Sequence, residues 1–77
     1  MSRRLPVLKA RQVVATLQRG GFTLIRQKGS HMVFGHPDRP EVRVTVPDHG
    51  SHDIKTGTMK KIFEQANLTI DEFLDLM

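Results

Sequence analysis

The apolar residues of this chain change their spacing twice, and that change limits the folds open to it. Between Lys9 and Arg19 the apolar positions Ala10, Val13, Val14 and Leu17 fall at i, i+3, i+4 and i+7, the single stripe of an amphipathic helix. From Glu41 to Val46 the spacing becomes two, with Val42, Val44 and Val46 alternating with Arg43 and Thr45, as on a strand with one face turned to a core. The helical spacing returns at Met59, Ile62, Phe63 and Ala66. A chain of 77 residues has room for one core. Two helical stripes and one apolar sheet face must therefore meet in a single domain spanning 1–77.

Turn and cap residues divide the chain between these patterns. Gly20-Gly21 ends the first helix, and Arg19 before it suits the negative end of the helix dipole. Strand-forming residues follow as Phe22 to Lys28 and His31 to His36, and Gly29-Ser30 between them makes a hairpin. Pro37-Asp38-Arg39-Pro40 reads as a turn and Glu41 to Val46 as a third strand. Pro47 to Asp53 is a polar loop, and the second helix runs from about Thr58 to Ala66, with Asn67 as its terminator. Thr69-Ile70-Asp71-Glu72 is a capping box that opens a short third helix, with Leu68 placed to staple onto Phe73. Residues 1–8 form an irregular basic lead-in whose arginines are expected to stay solvated. The order is α-β-β-β-α with a terminal helical turn. That is an α+β fold with a three-stranded antiparallel meander and the helices on one face.

Charge is unevenly spread. Residues 1–37 hold seven basic side chains and no acidic one, whereas residues 38–77 hold five basic and eight acidic, for a net charge of +4. Such polarity points to a polyanion partner for the N-terminal half. The absence of cysteine removes disulfides, thiolate zinc sites and cysteine nucleophiles. No apolar run approaches the roughly 20 residues that span a bilayer, and the start lacks a signal-peptide core, so a cytoplasmic protein without a membrane partner is expected.

The hairpin register can be argued from its loop. With Gly29-Ser30 as a two-residue connection, Lys28 lies opposite His31, Arg26 opposite Val33 and Leu24 opposite Gly35, and these six share a face. Thr23, Ile25, Gln27, Met32, Phe34 and His36 fall on the other face, which is expected to meet the helices. The uncovered face then presents Arg26, Lys28 and His31, joined by Arg43 and Thr45 from the third strand. An imidazole can move a proton near neutral pH, and cations beside it can hold a phosphate, a combination suited to phosphoryl transfer in RNA by attack of the ribose 2′-hydroxyl. The plainer alternative is that His31 is an ordinary surface residue of a strand. His36, His49 and His52 with Asp48 and Asp53 make only a weak metal pattern, and solvated or backbone-bonded histidines are the expectation there. Lys55, Lys60 and Lys61, with Thr56 and Thr58, are candidate phosphate contacts at and inside the second helix, or else a solvated helix end.

Several of these segments, taken in order, resemble the HicA toxins of bacterial type II toxin-antitoxin systems. They are Gly20-Gly21-Phe22, Arg26-Gln27-Lys28-Gly29-Ser30-His31, Val46-Pro47-Asp48-His49, Gly57-Thr58-Met59 to Ile62, and Gln65-Ala66-Asn67-Leu68-Thr69. The resemblance implies a double-stranded-RNA-binding-like fold and a metal-independent mRNA interferase without cofactor, neutralised by a HicB-like antitoxin. It also implies that His31 is the catalytic residue. Arg26, Lys28, Ser30, Arg43, Lys60 and Lys61 are the candidate RNA contacts. Ser51-His52-Asp53 stands where relatives tend to carry a lysine, and Asn67 where glycine is common, so no RNA role passes to that loop. A non-catalytic RNA-binding module of the same fold and, more weakly, a partner-binding adaptor remain as other readings.

Overall fold

The structure is a computed structural model that describes residues 3–77. Its elements run α1 (Ala10–Arg19), β1 (Thr23–Lys28), β2 (His31–His36), β3 (Arg39–Pro47), α2 (Thr56–Ala66) and α3 (Ile70–Leu76). The strands form one antiparallel sheet in the order β1-β2-β3. This is the expected α+β meander, an arrangement compatible with the double-stranded-RNA-binding-like fold.

The three apolar patterns meet as their spacing requires. Val13 and Leu17 of α1, Met59, Ile62 and Ala66 of α2, and Val42, Val44 and Val46 of β3 are all buried in one cluster with Met32, Phe34 and Phe73. Val14 and Phe63 pack at its margin. Thr16 is also buried on α1, and its hydroxyl donates to the Gln12 carbonyl one turn back, which satisfies it without a partner from outside the helix. Helix ends follow their residues. The chain leaves α1 through Gly21 at φ +92°, and Asn67 closes α2 in the left-handed region at φ 56°, where asparagine is the best tolerated substitute for glycine. The Thr69 hydroxyl accepts from the Glu72 amide at 3.1 Å while the Glu72 carboxylate accepts from the Thr69 amide at 2.9 Å, the reciprocal box that the sequence announces.

Three expectations need correction. The second turn is only Pro37-Asp38, since β3 already begins at Arg39; Pro40 is tolerated in it because β3 is an edge strand. Of the lead-in, residues 1 and 2 lie outside the described residues; residues 3–8 carry no regular structure, yet they are anchored. Leu8 is buried, its carbonyl accepts from the Ile54 amide at 2.8 Å, and the Arg3 guanidinium meets Asp71 and Asp75 at 3.2 and 2.7 Å. Finally, the register of the first hairpin holds only near its loop. Lys28 pairs with His31 and Arg26 with Val33, but Leu24 pairs with Phe34 and Thr23 with Gly35, so Ile25 is an extra residue in a bulge. The cause is Gly35. With no side chain there, Ile25 folds across the backbone, and a β-carbon at Gly35 would collide with Ile25 Cδ1. Ile25 is therefore about half exposed, at 49%, instead of entering the core.

The capping box makes a pH-dependent contribution. The Thr69 amide and, next, its hydroxyl hold the Glu72 carboxyl below its ordinary value of 4.5. A lowered carboxyl stabilises the fold above the ordinary value and loses that effect as pH falls through the lower folded value. Glu72→Gln should therefore be less stable than the parent at neutral pH, and the gap in urea midpoint should shrink between about pH 5 and about pH 3. A gap constant over that range would remove Glu72 from the acid response.

Candidate functional site

Burial of Met32 and Phe34 on β2 forces their neighbours His31 and Val33 to the opposite face of the sheet, because side chains alternate along a strand. The connecting turn sharpens the placement. Gly29 has φ +58° and Ser30 does not have positive φ, the sign pattern of a type II′ turn, whose twist matches that of the strands it joins. Lys28 and His31 flank this two-residue loop as a direct pair, with Arg26 two residues back on the same face. A hollow of about 650 Å³ lies here, lined by Arg26, Lys28, Gly29, Ser30, His31, Val33 and Thr45. Its histidine and both cations are exposed. The ion pairs among the described residues engage Arg3 and Lys9, so Arg26 and Lys28 keep their charge free for an external anion.

The end of β3 is tied to this hairpin tip. His31 pairs with Pro47, and the Asp48 amide donates to the Ser30 carbonyl at 2.6 Å. Proline suits that position, since a residue opposite His31 in a pair without mutual hydrogen bonds needs no amide proton. Beyond it, Pro47, His49, His52, Asp53, Ile54, Lys55 and Thr58 line a second hollow of about 510 Å³ at the start of α2. No residue pattern announces the Asp48–Ser30 link, because it joins backbone atoms rather than characteristic side chains.

The remaining candidates lie elsewhere. Arg43 shares the outer face but belongs to the other end of the sheet. Its guanidinium turns back onto the Pro40 and Val42 carbonyls at 2.9 and 2.7 Å, and it lines a separate hollow with Ile25 and Gly35. Lys60 and Lys61 are exposed on α2, which covers the apolar side of the sheet, and Lys60 lies in a hollow with Arg39, Glu64 and Glu72. Neither lysine reaches the hollow that holds His31. Ser30 lines that hollow and is half-buried.

The four histidines thus fall in three settings, with His49 and His52 sharing the hollow at the start of α2. His36 is held on both ring nitrogens: Nδ1 accepts from the Asp38 amide at 3.1 Å, which leaves Nε2 to donate to the Gly20 carbonyl at 3.0 Å, and Phe22 meets the ring edge-on at 4.9 Å. A β-carbon on Gly21 would sit 2.8 Å from His36 Nε2, so the helix stop and this histidine fit each other. Among the described residues, no group of three or more histidines and carboxylates is placed to hold a metal ion. Nor is any helix among them long and apolar enough to cross a membrane.

A small α+β domain thus buries one face of its sheet and holds a histidine flanked by two cations on the other. Residues 10–68 match the family model for the HicA toxin of bacterial toxin-antitoxin, and the chain belongs to that family. Membership carries the role of toxin and implies an antitoxin partner. A comparison with curated proteins finds no match.

The two histidines of β2 should separate experimentally. His36→Ala removes bonds to two backbone groups and an aromatic contact, and should cost about 1 to 3 kcal/mol in a urea melt. His31→Ala, on an exposed site, should stay within about 0.5 kcal/mol of the parent. A larger loss in His31→Ala would give it a structural task.

Proposed function

We propose that the protein is a metal-independent endoribonuclease that cleaves mRNA in the bacterial cytoplasm, with His31 as general acid/base. The observation that supports this most directly is the pairing of Lys28 with His31 across the hairpin tip, with Arg26 on the same open face. The reaction needs a base for the 2′-hydroxyl, a positive site for the charge that builds on the phosphoryl oxygens, and an acid for the departing 5′-oxygen. His31 takes the 2′-hydroxyl proton as the oxygen attacks phosphorus. Arg26 and Lys28 hold the non-bridging oxygens, and Ser30 borders the same hollow. The bond from phosphorus to the 5′-oxygen breaks, and that oxygen takes a proton from water at the exposed site and leaves as a 5′-hydroxyl. The other product carries a 2′,3′-cyclic phosphate, and His31 returns its proton to solvent.

His31→Ala should abolish both growth arrest and mRNA loss on induced expression while retaining RNA affinity. The parent should cleave in EDTA and give cyclic-phosphate ends. Inhibition by the chelator, reversed by a divalent ion, would place a metal in the mechanism. Unaltered toxicity of His31→Ala would favour the non-catalytic RNA-binding reading.

Lys60 and Lys61 serve in this proposal as more distant phosphate contacts on the helical side, and Arg43 as one at the far end of the sheet. Lys60→Ala should weaken RNA binding at all sequences alike and reduce the salt slope by about 0.7 to 0.9. An unchanged slope would leave Lys60 as a solvated helix residue. The inhibitor is a HicB-like antitoxin, and it acts by presenting acidic side chains to the face that carries His31, where it competes with RNA for Arg26 and Lys28.

A further inference from the structure

The helices do not reach β1. All six of its residues are exposed, including Leu24 at 47% and Ile25 at 49%, whereas the covered strands are β2 and β3. The two sheet edges also differ in their backbone groups. On β3 the outward Thr45 amide is taken by the Gln65 side chain at 2.9 Å. Among the described residues, no side chain or loop bonds an outward amide of β1.

Which amides point outward follows from the register. Lys28 and His31 flank the two-residue turn and exchange hydrogen bonds, so Gln27, opposite Met32, turns its amide and carbonyl away from β2. The same alternation on the β2-β3 side puts Pro47 and Thr45 at positions without mutual bonds, as their missing and outward amides require. Beyond the bulge, Leu24 is the next outward residue of β1. The extra residue Ile25 gives Gln27 and Leu24 the spacing of alternate positions on a regular strand.

We propose that β1 is an open edge that accepts an added antiparallel strand from a partner protein, and that the strand it accepts is acidic. Charge decides the occupant. Arg26 and Lys28 project from β1 on the face of His31, and neither β1 nor β2 carries an acid to balance them. A second copy of the chain would bring two more cations to the same face with no carboxylate on either strand, so these residues oppose self-pairing as edge lysines commonly do. A strand with glutamate or aspartate at alternate positions would place its carboxylates beside Arg26 and Lys28 while its backbone bonds to Gln27 and Leu24. Its acidic side chains would then overhang the His31 hollow. This rests on the proposed inhibition at that face and adds the means of attachment, a backbone ladder rather than side-chain charge alone.

The test reads amide exchange, not cleavage, so it stands apart from whether His31 is catalytic. The probe is a peptide of about ten residues alternating glutamate with threonine, compared with one in which two central threonines are proline. Both carry the same charge, and only the first can form a ladder. With the first peptide, exchange at Gln27 and Leu24 in the 77-residue chain should slow by about tenfold or more, and the proline peptide should bind about tenfold more weakly. Equal binding of the two peptides, or shift changes at Arg26 and Lys28 without protection of Gln27 and Leu24, would reduce the contact to surface charge and overturn the proposal. Failure of both peptides to bind would overturn it too. Concentration-dependent protection of the same amides in the protein alone would assign the edge to a second copy, and protection by a single-stranded oligonucleotide would assign it to RNA.

Discussion

The orientation of every side chain on the open face depends on the burial of the opposite one. Met32, Phe34, Val44 and Val46 enter the cluster formed with α1 and α2, and because strand side chains alternate, His31, Val33 and Thr45 are turned outward together. A slip of one residue would bury His31 and expose Phe34. Truncating a buried aromatic typically costs about 3 to 5 kcal/mol, whereas an exposed ion pair such as that of Arg3 with Asp71 contributes little. The apolar face, not the surface charge, holds the site in register.

That core is small, and its size has a functional side. Two short helices cover β2 and β3 and leave β1 open on both faces. The strand that brings Arg26 and Lys28 to His31 is therefore also the least covered strand of the molecule. A site formed there is open from several directions, as both the proposed cleavage of RNA and its proposed inhibition require. Its precision comes from the turn at Gly29-Ser30 and from the Asp48–Ser30 bond that ties β3 to the hairpin tip.

The histidines show what each level of description can resolve. His31 and His36 begin and end the same strand, and composition treats them alike. One stands among cations in an open hollow, while the other is bonded on both ring nitrogens to backbone atoms and rests against Phe22. The pairing of Lys28, Arg26 and His31 was legible because a two-residue glycine turn fixes the positions nearest to it. Its reach ended at Gly35, where the missing side chain let Ile25 bulge out and shifted Leu24 onto Phe34.

The sequence by itself determined the element order, where each of the first two helices stops, and the apolar faces of α1, β3 and α2, since period, capping residues and turn residues act over a few neighbours and need no distant partner. It also determined the charge division between the halves of the chain. Only the tertiary structure decided that Leu8 joins the core and that the lead-in is anchored. The same holds for Arg43, Lys60 and Lys61 lying apart from the His31 hollow, and for β1 going uncovered. Those outcomes depend on where a helix of fixed length ends on a sheet of fixed width and on contacts between residues far apart in the chain, which local spacing does not encode.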